Sequence, residues 1–153
     1  NSDLAAEATV LFGMILRNLM EGTSFRESLV LAAETTERHL KERGLPTQLV
    51  AETVYAYDDE AANNSGFVIP SLGTAIWAVR STDTFEDAVL TAVNLGDDAD
   101  TVAAITGQMA GALYGAGAIP EEWVAGLYRR DDLAKMTADL LGGKGTVLRT
   151  RSY

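Results

Sequence analysis

Hydrophobic residues recur at helical spacing along almost the whole chain. One stripe near the start has apolar residues at intervals of three or four: Leu4, Ala8, Leu11, Ile15 and Leu19. This spacing is typical of the buried face of an amphipathic α-helix. A second stripe begins at Phe25, and no run of alternating apolar and polar residues predicts a β-strand. The pattern therefore predicts an all-α protein.

Capping motifs and glycines predict where these helices begin and end. The segment Ser24 to Glu27 is a capping box, in which the serine oxygen and the glutamate can each accept a first-turn amide. The segment Asp83 to Glu86 repeats that order of cap, phenylalanine and acid. Gly22 and Gly44 are expected to stop helices. The later helices are expected at about 46–58, 71–80, 83–94, from 101, from 120, and at 131–141, with a polar loop at 58–66.

Composition favours a single domain. The chain has 153 residues, 47% of them hydrophobic, so we expect one compact orthogonal multi-helix domain over residues 1–153. A formal net charge of -10 argues against binding to nucleic acid or an anionic membrane. The absence of cysteine excludes disulfides, thiolate zinc sites and cysteine nucleophiles, and it fits a cytoplasmic protein. The first residue is Asn1 rather than methionine, which suggests a processed or excised piece.

Three aspartates are crowded ahead of one predicted helix. Asp97, Asp98 and Asp100 occupy three of four successive positions, and no Lys or Arg lies between Arg80 and Arg129. A helix N-terminus carries only about half a positive charge, too little to offset three carboxylates. Hard divalent cations such as Mg²⁺, Mn²⁺ and Ca²⁺ prefer carboxylate, hydroxyl and water oxygens. Together with the Thr101 hydroxyl, the acids therefore form a candidate metal site.

The same residues have a simpler interpretation. Asp and Thr before an apolar run are also ordinary helix caps, and capping with a solvated acidic turn explains the pattern about as well as a metal site does. An EF-hand is excluded, because the loop counted from Asp98 has Val102 where a ligand is needed and Ala103 where glycine is needed.

The helix after the aspartates is lined with small residues. Ala103, Gly107 and Gly111 share one face, although each helical glycine costs about 1 kcal/mol relative to alanine. Close packing against a neighbouring helix would compensate for this cost. We therefore expect this to be the buried central helix, with the aspartates at its N-terminal end. A tightly packed helix with no ligand explains the glycines equally well.

These segments resemble a known family. The run Asn94 to Thr101 and the small-residue helix that follows are similar to the C-terminal signature of the ADP-ribosylglycohydrolases, and 65–89 is similar to the segment that precedes it. The resemblance implies an all-helical fold and a pair of Mg²⁺ or Mn²⁺ ions. It also implies hydrolysis of the glycosidic bond between ADP-ribose and arginine, serine or another acceptor.

The resemblance also implies roles for individual residues. By it, Asp98, Asp100 and Thr101 are metal ligands. Asp97, at a position where the family often has glycine, is a candidate to orient these ligands without binding the metal itself. Gly66 and Phe67 fall in a segment that borders the substrate pocket. The resemblance identifies no catalytic acid or base in this chain.

Part of the family pattern is missing. The glycine-rich opening segment, the Thr-Asp-Asp metal motif and the catalytic acidic residue of the family's N-terminal half do not occur in the sequence. The chain thus resembles the C-terminal half of such an enzyme, and a companion N-terminal polypeptide is an expected partner. The expected substrate is an ADP-ribosylated protein or an ADP-ribose-containing small molecule.

Two alternatives to this hydrolase remain open at the level of sequence. One is a non-catalytic, truncated or degenerate relative that binds metal, ADP-ribose or a partner protein. The other is a purely structural helical domain with a capped acidic turn. The remaining distinctive residues have ordinary interpretations: His39 as a solvated cation near a helix end, and Trp77 and Trp123 as core residues.

Overall fold

The computed structural model describes residues 2–47, 54, 62, 66–140 and 142. Within these ranges the chain forms seven α-helices and a short 3₁₀ turn, Ala116–Ala118, and has no strand. The helices are α1 (Ser2–Met20), α2 (Phe25–Glu42), α3 (Val68–Arg80), α4 (Phe85–Val93), α5 (Ala99–Tyr114), α6 (Glu121–Gly126) and α7 (Arg130–Leu140). The all-α prediction is confirmed. The helix expected at 46–58 and most of the loop expected at 58–66 lie outside the described residues.

The capping motifs act as the sequence predicts. Ser24 Oγ accepts a hydrogen bond from the Glu27 amide at 3.4 Å, and Thr84 Oγ1 accepts one from the Asp87 amide at 3.0 Å. Both cap residues have extended backbones, with ψ of 153° and 158°, which aims the side chain back at the first turn. Two predicted stops, Gly22 and Gly44, adopt positive φ of 89° and 68° after α1 and α2.

The first two helices form a hairpin, and the apolar stripe predicted for α1 is buried except at its first residue. Ala8, Leu11, Ile15 and Leu19 all lie in the core. Leu4, expected on the same stripe, is 38% exposed, whereas Glu7 is only 3% exposed. The core therefore begins near Glu7 and also covers a charged residue that the apolar pattern alone did not indicate.

α5 is the central helix, as expected, and packs against α1, α3 and α4. It buries Val102 and Met109 completely. Its two glycines face α4, but a Cβ built at Gly107 would lie 3.8 Å from Val89 Cγ2, and one at Gly111 would lie 3.9 Å from Phe85 Cε2. These are ordinary van der Waals distances, so an alanine would fit at either position. Close packing therefore does not require glycine there.

The C-terminal helices lie at the edge of this core. Trp123 of α6 meets Phe85 edge to face with ring centroids 6.2 Å apart, and Trp77 also packs against the core, as predicted for both tryptophans. α7 buries none of its residues. His39 is exposed near the end of α2, as predicted. In the described part of the chain, no helix combines the length and the hydrophobicity needed to cross a membrane.

Candidate metal centre

The aspartate cluster lies in a tight turn between α4 and α5. Two successive residues in this turn have left-handed backbones, Gly96 with φ of 77° and Asp97 with φ of 49°. Glycine adopts this conformation without steric cost, and aspartate is one of the few other residues that tolerate it. The turn redirects the chain so that Asp98 comes immediately before the first residue of α5.

Asp98 occupies the capping position of α5 without using its side chain as a cap. Its backbone carbonyl accepts the Val102 amide at 3.2 Å, but its carboxylate makes no hydrogen bond to the first-turn amides. The backbone explains this, because ψ of 45° is far from the extended value of a capping residue. Instead, the Thr101 hydroxyl donates to Asp98 Oδ1 at 2.9 Å. The carboxylate is thus oriented by a neighbouring side chain.

The start of α3 lies beside the same carboxylate. A Cβ built at Gly66 would lie 3.5 Å from Asp98 Oδ2. The second carboxylate oxygen therefore faces a stretch of backbone that carries no side chain. The structure brings together three of the six predicted site residues: Gly66, Asp98 and Thr101.

The other three predicted residues flank this group. Asp97 and Asp100 are exposed, one in the turn and the other in the first turn of α5. Phe67 is the residue immediately before α3 and is 77% exposed. Together with Gly66, Asp98 and Thr101 they form what we call the acidic corner, where the N-termini of α3 and α5 meet.

Among the residues that the structure describes, no ion pair involves a carboxylate of the acidic corner. The ion pairs found among the described residues join arginine or lysine to acids elsewhere: Arg17 to Glu21, Lys41 to Glu37, Arg129 to Asp132, and Arg130 to Asp131. The N-termini of α3 and α5 contribute a partial positive charge. Three carboxylates in four positions still leave an excess of negative charge, which favours a bound cation.

The donor chemistry of the acidic corner fits Mg²⁺ or Mn²⁺ as part of a coordination sphere. Carboxylate and hydroxyl oxygens are the ligands these ions prefer, and the residue beside Asp98 Oδ2 is a glycine, which places no side chain against that oxygen. Across the ranges that the structure describes, however, no three His, Asp or Glu side chains are grouped so as to hold a metal ion. Because Mg²⁺ requires about six ligands, the corner supplies only some of them.

The two most defined surface depressions in the described structure lie away from the acidic corner. One, of about 370 Å³, is lined by residues of the α6–α7 connection, including Arg129 and Arg130. The other, of about 460 Å³, lies at the start of α4. At its edge the Tyr114 hydroxyl donates to the Thr82 carbonyl at 3.3 Å, and burial, followed by the nearby Asp83 charge, raises the pKa of Tyr114.

Sequence reasoning missed one buried carboxyl group. Glu7 Oε2 is buried and has no hydrogen-bond partner. Burial, with a smaller contribution from Asp3, raises the pKa of Glu7. Its position four residues before Leu11 places Glu7 on the same helix face and indicates burial. Its charge, in contrast, predicts exposure to solvent.

The fold is all-helical, and the acidic corner is a candidate cation site at the point where two helices begin. The chain belongs to the ADP-ribosylglycohydrolase family, whose sequence profile matches residues 1–148. This finding confirms the resemblance drawn from the 94–101 motif.

Individual relatives agree with the family assignment. The chain is 36% identical over 140 residues to an ADP-ribosylarginine hydrolase, Tri1, of Pseudomonas putida, and 52% identical over 77 residues to Tri1 of Serratia proteamaculans. It is 25% identical over 127 residues to the ADP-ribosyl-dinitrogen reductase glycohydrolase of Rhodospirillum rubrum. These alignments cover 92%, 50% and 83% of this chain. They span only 36%, 21% and 39% of the respective relatives.

Proposed function

We propose that this chain supplies part of a binuclear Mg²⁺ or Mn²⁺ site in a hydrolase that cleaves the glycosidic bond of ADP-ribose conjugates. The observation that carries the proposal is the state of Asp98. Its carboxylate is oriented by Thr101, makes no capping hydrogen bond, and has its second oxygen beside Gly66, which carries no side chain. In this proposal Asp98, Asp100 and Thr101 are the metal ligands from this chain.

The residues of the acidic corner would bind and orient. The hydrogen bond from Thr101 fixes the Asp98 carboxylate before a cation arrives, which lowers the entropic cost of binding. Asp100 adds a second carboxylate in the same turn. When bound, two such cations would orient ribose hydroxyls and an attacking water and stabilise the charge that develops as the glycosidic bond breaks.

The substrate side of the corner would be formed by backbone and by an aromatic ring. The N-termini of α3 and α5 meet there, and the exposed amides at a helix N-terminus suit a pyrophosphate. Gly66 and the exposed Phe67 would border the bound conjugate, and Asp97 would support the ligands from the turn. The negative net charge is no obstacle, because the cations and helix ends supply local positive potential.

The catalytic acid or base would come from a companion N-terminal polypeptide, since no acid of this chain is assigned that role. The names of the two hydrolases from Pseudomonas and Serratia support ADP-ribosylated arginine as the substrate class, and an ADP-ribosylated protein or an ADP-ribose-containing small molecule as the partner. We place the activity in the cytoplasm, in keeping with a chain that has no cysteine.

A second candidate is a non-catalytic module that binds metal, ADP-ribose or a partner protein. The specific observation in its favour is the incomplete donor set, since no group of three metal-binding acids occurs in the described ranges.

The test is release of ADP-ribose from ADP-ribosylated arginine and serine peptides in the presence of Mg²⁺. The chain is assayed alone and with the remaining portion of the Pseudomonas putida relative supplied in trans. We expect release in the second setting, and its loss by about 100-fold or more in Asp98→Asn and Asp100→Asn. Asp83→Asn, at the start of α4, is the matched control and retains activity.

The outcomes separate the two candidates. No release in either setting contradicts the hydrolase, while Mg²⁺-dependent binding of ADP-ribose by the same preparation supports the non-catalytic module. If neither release nor binding occurs, both candidates are wrong. Release that is unchanged in Asp98→Asn contradicts the assignment of the acidic corner even if the enzyme is active.

A further inference from the structure

Gly66 is a glycine whose backbone does not explain it. It is not among the residues with positive φ, so its conformation is open to other amino acids. It lies just before α3, where a side chain would be exposed rather than buried in the core. The reason for glycine must therefore be sought in what a side chain would meet.

A side chain at Gly66 would meet the Asp98 carboxylate. Its Cβ would lie 3.5 Å from Asp98 Oδ2. Other described glycines differ: nothing lies within 4 Å of a Cβ at Gly117 or Gly126, and a Cβ at Gly107 or Gly111 would meet the carbon atoms of α4 side chains. Among the glycines whose surroundings the structure describes, Gly66 is the one that faces a charged oxygen.

The two oxygens of Asp98 are in different situations. Oδ1 accepts the Thr101 hydroxyl, whereas Oδ2 faces Gly66. An Mg²⁺ ion bound to a carboxylate oxygen lies about 2.0–2.1 Å from it and keeps several water molecules. A carbon atom at van der Waals distance from Oδ2 would occupy space that the ion and its waters need.

We infer that Gly66 keeps the approach to Asp98 Oδ2 open, so that a hydrated divalent cation reaches the carboxylate from the side of α3. Gly66 is thus a positioning residue that acts through Asp98 and does not touch the reacting atoms. This inference rests on the proposed function, because it assumes that Asp98 is a metal ligand. It adds the direction from which the cation approaches and a residue just before α3 that controls this approach.

The experiment is a titration of the 153-residue chain with Mn²⁺, in which free Mn²⁺ is measured by electron paramagnetic resonance. Gly66→Ala and Gly66→Val are compared with the parent chain, and Gly117→Val is the matched control. We expect affinity to fall from glycine to alanine to valine, by about 10- to 100-fold for valine, as for other residues that support metal ligands. The control should bind as the parent does.

A second measurement distinguishes blocked access of the cation to Asp98 from a loss of stability of the folded chain. Melting temperatures measured without metal should be nearly the same for the parent and both Gly66 variants, because the side chain adds no contact to the core. If Gly66→Val misfolds, Gly66→Ala decides the matter, since its methyl group would lie at an ordinary contact distance.

The outcomes distinguish failure of this inference from failure of the proposed metal site on which it rests. If the parent binds Mn²⁺, Asp98→Asn does not, and the Gly66 variants bind as tightly as the parent, the role of Gly66 is wrong and the metal site stands. If Asp98→Asn binds Mn²⁺ as the parent does, the metal site fails and the inference fails with it. Equal losses in Gly66→Val and Gly117→Val also overturn it.

Discussion

The starts of α4 and α5 lie one helix apart in sequence and use their capping residues differently. At α4, Thr84 has an extended backbone and its hydroxyl accepts the Asp87 amide at 3.0 Å. At α5, Asp98 holds the equivalent position, but its carboxylate is turned away from the helix amides and accepts the Thr101 hydroxyl.

The difference separates a structural cap from a candidate ligand. Aspartate is among the best capping residues, so a side chain that stabilised only its own helix would be expected to bond the first-turn amides. The backbone of Asp98, with ψ of 45°, prevents this and leaves one oxygen facing Gly66. In the structure Asp98 does not cap α5 through its side chain, whereas the choice between a metal site and a solvated acidic turn stays a matter for experiment.

The largest expected effect is the loss of metal-dependent stabilisation in Asp98→Ala. A ligand at 100 times its dissociation constant stabilises the folded state by about 2.7 kcal/mol. We expect Mn²⁺ to raise the melting temperature of the parent chain and of Thr84→Ala, but not that of Asp98→Ala. Thermal unfolding with and without Mn²⁺ measures this, and equal metal-induced shifts in all three proteins contradict the distinction between the two helix starts.

The next largest effect concerns stability without metal, for which we expect Thr84→Ala to matter more than Asp98→Ala. Thr84→Ala removes a capping hydrogen bond and should lower the free energy of unfolding by about 1 kcal/mol. Asp98→Ala removes no capping hydrogen bond, only the exposed one from Thr101. The free energy of unfolding should therefore change by no more than about 0.5 kcal/mol. Urea denaturation of both variants provides the measurement. A loss at Asp98 as large as that at Thr84 would mean that its carboxylate caps α5 in solution.

Local features of the fold could be predicted from sequence because short-range chemistry determines them. The caps at Ser24 and Thr84, the stops at Gly22 and Gly44, and the central position of α5 each depend on residues within a few positions of one another or on a helical repeat. The acidic cluster and its adjacent threonine were equally visible, since all lie within five residues.

Features that depend on tertiary packing could not be predicted in the same way. The contact between Gly66 and Asp98 joins residues 32 positions apart and follows from the packing of α3 on α5. The exposure of Leu4 and the burial of Glu7 near the start of α1 depend on how far the core extends along this helix. The direction of the Asp98 carboxylate depends on one ψ angle, which no residue pattern specifies.

A smaller effect extends the comparison from the starts of α4 and α5 to the contact between their middle parts. Gly107 faces Val89 with room for a methyl group, so Gly107→Ala should add helix propensity without a clash. We expect the free energy of unfolding to rise by up to about 1 kcal/mol. Gly96→Ala is the contrasting variant, because its φ of 77° makes any side chain unfavourable. Destabilisation by Gly107→Ala in urea would show that the two helices pack more closely than described.

The smallest effect concerns Glu7, a carboxyl group that, unlike Asp98, is enclosed by the core. Burial raises its pKa, with Asp3 adding to the shift, so the folded chain holds this proton more tightly than the unfolded chain does. Its contribution to stability is fully present below the ordinary glutamate value of 4.5 and is lost as pH rises through the raised pKa. We expect Glu7→Gln to make the fall in unfolding free energy across this window less steep. Urea denaturation at several pH values measures the slope, and equal slopes in the parent and the variant would show that Glu7 reaches solvent in the folded chain.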